Sequence, residues 1–206
     1  MLKEQIKTIT EFKEFILKEK GSEFIAKVYP IKSEQSALNE LHNIRKIFFD
    51  ATHHCFAYRT NDNITKYSDD GEPNGTAGIR ILNAIDHFDL TDILLVVIRY
   101  FGGTKLGVGH LGKAYYNAAI NVLEASQKIE LSLFQLVTIT TEFAHINHIH
   151  RLMSNYSATI VKSDFNNNAV FDCLIKPSLV NKITFELTNF TNGQIVIKLK
   201  NEYKYK

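Results

Sequence analysis

The spacing of apolar residues along the first part of the chain predicts alternating strands and helices. Residues 22–30 alternate apolar and polar positions and end in a proline, which is typical of a strand. Behind a capping Ser33, apolar side chains recur every three or four positions as far as residue 48, which indicates an amphipathic helix. Residues 53–59 and 64–68 surround a polar turn and predict a hairpin.

A fully apolar run at residues 93–98 predicts a central strand that is buried on both faces. Residues 10–17 predict a further strand, which leads to a turn at Lys20–Gly21. One helix is predicted before the apolar run and one after it. Their apolar stripes are Ala77, Ile81, Ala84, Ile85 and Phe88, and Leu111, Tyr115, Ala118, Ala119 and Val122.

Near residue 129 the pattern starts again and gives the order β-α-β-β-α-β. The strands are predicted at 132–141, 157–163, 169–175 and 194–200, and residues 201–206 are predicted to be a frayed strand end. One helix has apolar positions 146, 149, 152 and 153, and Ser178 is expected to cap the other. This order is that of the ferredoxin-like split pattern. The sequence therefore predicts an α+β protein with two domains, at residues 1–129 and 130–206.

Composition narrows the class of protein. Apolar residues make up 45% and charged residues 22% of the 206, an ordinary globular balance. Every apolar run is far shorter than the roughly 20 residues that span a bilayer, and two cysteines cannot build a disulfide framework. We therefore expect a cytoplasmic protein without a membrane anchor.

The formal net charge is only +2, and acidic and basic side chains are equal in number over residues 1–129. A non-specific nucleic-acid binder is expected to carry a large positive excess, because neutralising phosphates drives its affinity. Any contact with RNA must therefore come from a local patch.

A glycine-rich segment follows the apolar run and contains Gly107-x-Gly109-x-x-Gly112, the spacing of a dinucleotide-binding fingerprint. The predicted strand ends near Tyr100, too far before Gly107, and the acidic Glu130 precedes a strand instead of ending one. We interpret the match as a coincidence.

The glycines of this segment have two interpretations. In the first, they expose backbone N–H groups to an anion, with Lys105 inside the segment and Arg99 and Lys113 beside it. In the second, they allow close packing against another glycine-containing segment.

That other segment, residues 67–78, crowds Asp69, Asp70 and Glu72 into a turn. The spacing of a calcium loop is missing. Adjacent carboxylates could serve as a general base or bind magnesium. The simpler interpretation, which we favour, is a turn whose acids complement the dipole of the next helix, with Thr76 as a cap.

Other candidate sites are weaker. His53 and Cys55 point to the same face of their strand, but a Cys–His nucleophile also needs a third, orienting group. His145, His148 and His150 have no nearby cysteine or histidine to complete a zinc site. We predict no catalytic residue, no metal and no cofactor.

Taken together, these segments resemble the YigZ/IMPACT family. The resemblance is carried by "SDDGEPNGTAG" at 68–78, by "VVIRYFGGTKLGVG" at 96–109 and by the His53-His54-Cys55 strand, and it extends over nearly the full length. It implies an N-terminal domain like the second domain of ribosomal protein S5, and a ferredoxin-like C-terminal domain similar to an elongation-factor domain. Eukaryotic relatives regulate translation by binding the activator of an initiation-factor kinase, and they are not known as enzymes.

The resemblance, together with the lysines of the glycine-rich segment, gives a set of candidate contact residues. They are Asp69, Asp70, Gly71, Glu72, Gly75, Thr76, Gly78, Arg99, Tyr100, Gly102, Gly103, Lys105, Gly107, Gly109 and Lys113. The chain departs from the family pattern in three places. Arg80 stands one residue beyond the usual basic position, His110-Leu111-Gly112 replaces Gly-Leu-Val, and Glu23 replaces a basic residue.

The sequence therefore predicts a non-enzymatic cytoplasmic binding protein linked to translation. Its glycine-rich segments would contact RNA, the ribosome or a translation-associated protein. The alternative is an enzyme acting on a phosphorylated or nucleotide-like small molecule through the acidic loop 69–72 and Lys105. A third hypothesis is a module that binds only proteins.

Overall fold

The computed structural model describes residues 2–206 and shows two compact units. Residues 6–130 form the first unit, and residues 131–206 together with 2–5 form the second. Both combine a β-sheet with α-helices, so the predicted α+β class with two domains is confirmed. Among the described residues, no helix is both long enough and apolar enough to cross a bilayer.

The first unit is built around a five-stranded antiparallel sheet in the order β2-β3-β6-β4-β5. The elements up to residue 124 are β1 (Gln5–Ile9), β2 (Lys13–Glu19), β3 (Ser22–Pro30), α1 (Glu34–Ile47), β4 (His53–Arg59), β5 (Thr65–Ser68), α2 (Gly78–His87), β6 (Ile93–Tyr100) and α3 (Val108–Glu124).

Strand β6 separates two hydrophobic clusters, as its unbroken apolar sequence predicts. Ile93, Leu95 and Val97 pack with α2 and α3 on one face of the sheet. The alternate residues of β6 pack with α1 on the other face. All six side chains are fully buried. The buried stripes of α1, α2 and α3 are those that the helical spacing predicts.

The turn between β2 and β3 lies where the sequence predicts it. Lys20 and Gly21 both have positive φ angles, of 46° and 81°. The segment before this turn contains two strands, β1 and β2, instead of the single strand predicted at 10–17. Ser33 caps α1 as expected, since its side chain accepts a hydrogen bond from the Ser36 N–H.

The second unit has the antiparallel sheet order β10-β7-β9-β8, with two helices on one face. This is the strand order of a ferredoxin-like fold. The elements are β7 (Lys128–Thr141), a single-turn 3-10 helix (Phe143–His145), α4 (Ile146–Asn155), β8 (Thr159–Phe165), β9 (Ala169–Ile175), α5 (Pro177–Phe190) and β10 (Val196–Tyr205).

Two details of the second unit differ from the prediction. Helix α5 begins at Pro177 with Lys176 as its N-cap, so Ser178 lies inside the helix and does not cap it. The predicted frayed end is part of β10, because Tyr203–Tyr205 pair with residues 133–135 beyond a bulge. The sequence does not predict this pairing, because residues 201–206 are mostly polar. The pairing depends on backbone hydrogen bonds, which do not require apolar side chains.

Candidate functional site

Asp69 organises the acidic loop that precedes α2. Its Oδ1 accepts hydrogen bonds from the N–H groups of Ala77 and Gly78, at 2.9 and 2.8 Å, and its Oδ2 accepts one from Gly75 at 2.9 Å. Asp69 therefore satisfies backbone donors at the start of α2, the position where a carboxylate also complements the helix dipole.

The expectation that Thr76 caps α2 is wrong. The Thr76 hydroxyl instead donates to the Pro73 carbonyl at 2.6 Å, and the side chain is buried. The cap comes from a residue eight or nine positions earlier in the chain, a distance that the sequence signals for local capping do not cover.

Asp70 is also held by the protein. Its Oδ2 accepts a hydrogen bond from the His54 N–H at 2.7 Å, and Arg45 Nη2 lies 3.0 Å from its Oδ1. The Asp70 carbonyl lies 2.8 Å from His53 Nδ1. Asp70 therefore connects the acidic loop to β4 and to α1.

Glu72 forms a buried ion pair with Arg99. Glu72 Oε1 lies 2.6 Å from Arg99 Nη1 and accepts a second hydrogen bond from the Tyr115 hydroxyl at 2.8 Å. Only 4% of the Glu72 side chain and 7% of the Arg99 side chain are exposed. His53 Nε2 lies 3.8 Å from Glu72 Oε2. The structure thus brings the two predicted segments together through this pair.

Arg99 lies near the end of β6, in register with Phe24 of β3 and His53 of β4. Its guanidinium carbon lies 5.3 Å from the Phe24 ring centroid and 5.5 Å from that of Phe101. Nη2 donates to Ser22 Oγ at 3.2 Å, whereas Nε has no hydrogen-bond partner within residues 2–206. Arg99 is therefore enclosed by the fold and is not a surface cation.

Gly102 packs against the turn between β2 and β3. A Cβ atom at Gly102 would lie 1.8 Å from the Gly21 carbonyl carbon and 2.3 Å from the Ser22 nitrogen. The Gly102 N–H also donates to Ser22 Oγ at 3.2 Å. This turn is a third part of the site that the sequence analysis did not identify, although the glycine at position 21 was its signal.

Other glycines of these segments differ in what requires them. Gly78 serves packing, because a Cβ there would lie 2.7 Å from the Ser68 backbone, whereas Gly71, Gly75, Gly103 and Gly107 have positive φ angles. Gly109 has neither property: its φ is not positive, and no atom lies within 4 Å of the Cβ position. The local fold gives no reason for a glycine at this position.

The outer surface of the glycine-rich segment is exposed. Between Phe101 and His110 only Leu106 is buried, and Lys105 projects from the loop with Val108 nearby at the start of α3. Lys113 is exposed one turn further along α3. Tyr100 is partly buried and its hydroxyl donates to Asp50 at 2.8 Å.

Cys55 is enclosed by the same network. Its Sγ lies 3.0 Å from the Asp69 carbonyl oxygen and 3.4 Å from the Tyr115 hydroxyl. Burial, supported by nearby carboxylates, raises the pKa of the Cys55 thiol far above its usual range. Burial likewise raises the pKa of Cys173 to about 12. Neither thiol is poised for nucleophilic chemistry, since the thiolate is the reactive form.

We therefore expect both cysteines to resist alkylation by iodoacetamide at pH 8 in the folded protein. Their raised pKa values keep both thiols protonated at pH 8, and burial prevents the reagent from reaching them. Labelling measured by mass spectrometry should become complete only in denaturant. Rapid modification of native Cys55 would show that this thiol is accessible and reactive.

The histidines of the second unit do not form a metal site. His148 stacks on Phe190 with ring centroids 3.5 Å apart, and burial lowers its pKa. Over residues 2–206, no group of three or more histidine, cysteine, aspartate or glutamate side chains is arranged to hold a metal ion.

These features define a two-domain α+β protein whose first domain joins an acidic loop, through a buried Glu–Arg pair, to the end of the strand that precedes the glycine-rich segment. Residues 20–123 match the family model "Impact N-terminal domain", and residues 139–194 match "Domain of unknown function (DUF1949)". The chain belongs to the IMPACT family.

Several relatives share most of the chain. It is 31% identical to the IMPACT family member YvyE of Bacillus subtilis, over 93% of this chain and 89% of that protein. It is 29% identical to the IMPACT family member YigZ of Escherichia coli, over 85% and 88% of the two chains. A solved structure described as a hypothetical protein covers 98% of this chain and 100% of its own, with 25% identity and a TM-score of 0.69.

The eukaryotic relatives share only part of their length with this chain. The Protein IMPACT homolog of Dictyostelium discoideum is 40% identical over 96 residues, which are 43% of this chain and 27% of that protein. This match therefore covers less than half of this chain and about a quarter of that relative.

Proposed function

We propose that this protein is a non-enzymatic, cytoplasmic binding protein that acts with the translation machinery. The exposed face of the glycine-rich segment, residues 101–110, would be its contact surface for RNA, the ribosome or a translation-associated protein. The family resemblance supports the link to translation. The geometry of the first domain supports binding as opposed to bond-breaking chemistry.

The carrying observation is that the carboxylates of the acidic loop are all engaged by the protein itself. Asp69 accepts three backbone hydrogen bonds, Asp70 contacts His54 and Arg45, and Glu72 contacts Arg99 and Tyr115. A general base must reach the proton it removes, and a magnesium ligand must reach the ion. Because these carboxylates are hydrogen-bonded or ion-paired within the protein, they stabilise the loop beside the exposed glycine-rich segment.

Co-sedimentation of the full-length chain with purified ribosomes tests the proposal. We expect binding at physiological salt that falls about tenfold in Lys105→Glu, since this substitution places a negative charge on the exposed loop. Lys200→Glu makes the same charge change on an exposed strand of the second unit and should bind as the wild type does. Absence of ribosome and RNA binding in the wild type would overturn both as partners and leave only a translation-associated protein.

The alternative function, an enzyme for a phosphorylated or nucleotide-like small molecule, is supported by the exposed Lys105 and by the exposure of the same segment. A thermal-shift panel of nucleotides and sugar phosphates, with and without magnesium, discriminates between the two. A ligand at 100 times its dissociation constant stabilises the folded state by about 2.7 kcal/mol. A clear shift that Lys105→Glu removes would show a small-molecule ligand at this segment, which the alternative requires.

A further inference from the structure

A cationic groove lies on the first unit between α2 and α3. Its volume is about 350 Å³, and it is lined by Arg80 and Asn83 of α2 and by Gly109, Gly112, Lys113 and Tyr116 of α3. This groove adjoins the glycine-rich segment, because Gly109 belongs to both. Only Gly109 and Lys113 of its lining were among the residues that the sequence analysis selected.

The charges of the groove are unopposed. Two of its six lining residues are cationic and none is acidic. Arg80 Nε donates to the Gly75 carbonyl at 3.3 Å, which leaves the two Nη groups without a partner among residues 2–206. Lys113 likewise forms no ion pair within that part of the chain. The carboxylates of Asp69, Asp70 and Glu72 are not among the lining residues and contact other groups of the protein.

The α3 side of the groove exposes backbone. Gly107 precedes the helix without a side-chain cap, and Gly109 leaves the first turn uncovered. Gly112 keeps α3 close to Arg80, since a Cβ there would lie 3.3 Å from Arg80 Nε. Free N–H groups at a helix start add to the attraction that Arg80 and Lys113 exert on an anion.

Tyr116 gives the groove an aromatic component. It is partly buried beside the two cations. Proteins bind single-stranded nucleic acid with this combination, a cationic groove for the backbone and an aromatic ring on which a base stacks. The low net charge of the domain agrees with a local patch and not with a general affinity for polyanions.

We propose that the groove between α2 and α3 binds the phosphodiester backbone of single-stranded RNA. Arg80 and Lys113 contact phosphates, and Tyr116 stacks on a base. This inference rests on the proposed function and assigns its ligand. It also explains Gly109, whose missing side chain leaves room for the ligand to approach the start of α3.

The test is fluorescence anisotropy of a labelled single-stranded RNA, titrated with the full chain at several salt concentrations. In Arg80→Gln/Lys113→Gln we expect affinity to fall at least about tenfold. The slope of log affinity against log salt should fall by about 1.4, because each lost phosphate contact contributes about 0.7 on a single strand. The control Lys198→Gln/Lys200→Gln removes the same charge from the second unit and should leave both quantities unchanged.

Two further variants separate binding from folding. Gly109→Ala should raise the denaturant midpoint, since alanine favours a helix, and yet weaken RNA binding, since its methyl group enters the groove. Tyr116→Leu should weaken binding without changing the salt slope. Gly109→Ala that binds RNA normally would overturn the role of the helix start.

The outcomes distinguish this inference from the proposed function. Ribosome binding that survives unchanged in Arg80→Gln/Lys113→Gln overturns the groove and leaves the proposed function standing. Nuclease-resistant ribosome binding that the same variant loses would mean that a protein occupies the groove, which also overturns RNA as its ligand. Loss of RNA binding equal to that of the Lys198→Gln/Lys200→Gln control shows a general charge effect and overturns the site.

Discussion

Replacing Glu72 with glutamine is expected to destabilise the first unit by about 3–5 kcal/mol, the range measured when one partner of a buried ion pair is removed. The new amide would have nearly the shape of the Glu72 carboxylate, so its oxygen could still accept from Tyr115. The Arg99 guanidinium would lose its counter-ion while only 7% of its side chain is exposed. The dominant cost is therefore an uncompensated buried charge and not a cavity.

The measurement is equilibrium unfolding in denaturant, followed by circular dichroism. Glu130→Gln is the matched control, because Glu130 pairs with Lys7 at 3.5 Å while 64% of its side chain is exposed. Removing such a surface pair should cost less than about 1 kcal/mol. A Glu72→Gln variant no less stable than Glu130→Gln would show that the buried pair does not hold the two loops.

The double variant Glu72→Leu/Arg99→Met tests the cause. It removes both charges and replaces them with apolar groups, which in other proteins is often neutral or stabilising. We expect it to recover much of the loss, with the buried Tyr115 hydroxyl left without the acceptor that Glu72 provides. If the double variant is less stable than Glu72→Gln, the hydrogen bonds outweigh the charge.

The fold was predictable where periodicity determined it. The run at 93–98 predicted the central strand, because only burial on both faces explains six consecutive apolar residues. The buried stripes of α2 and α3 were predictable because their apolar residues recur every three or four positions. The strand β1 and the extension of β10 were not, since their pairing depends on backbone hydrogen bonds with distant segments.

The candidate site was predictable in its segments but not in its contacts. The sequence selected Glu72 and Arg99 as neighbours in function, yet nothing in their spacing shows that they form a buried pair. Asp69 caps α2 from a distance at which local capping patterns do not apply. Tyr115 was predicted as a core residue, and its hydrogen bond to Glu72 arises only because α3 lies against the acidic loop.

The difference between the glycines gives the sharpest test of this arrangement. Gly102→Ala would place a methyl carbon 1.8 Å from the Gly21 carbonyl carbon. The atoms that it meets belong to the backbone of Gly21 and Ser22, so no side-chain rotation can relieve the clash. The β2–β3 turn and the backbone at Gly102 must move apart, and the hydrogen bonds that Ser22 Oγ accepts from Gly102 and Arg99 must lengthen. We expect a loss of about 3 kcal/mol or more, at the upper end of overpacking effects.

Gly109→Ala is the matched control, because the same methyl group there meets no atom within 4 Å and Gly109 lies in helix α3. Since alanine favours a helix over glycine by about 0.5–1 kcal/mol, this variant should be more stable than the wild type. Opposite shifts of the denaturant midpoint in the two variants would separate a glycine required for packing from one that the fold does not require. If Gly102→Ala were as stable as Gly109→Ala, the glycine-rich segment would not pack against the β2–β3 turn.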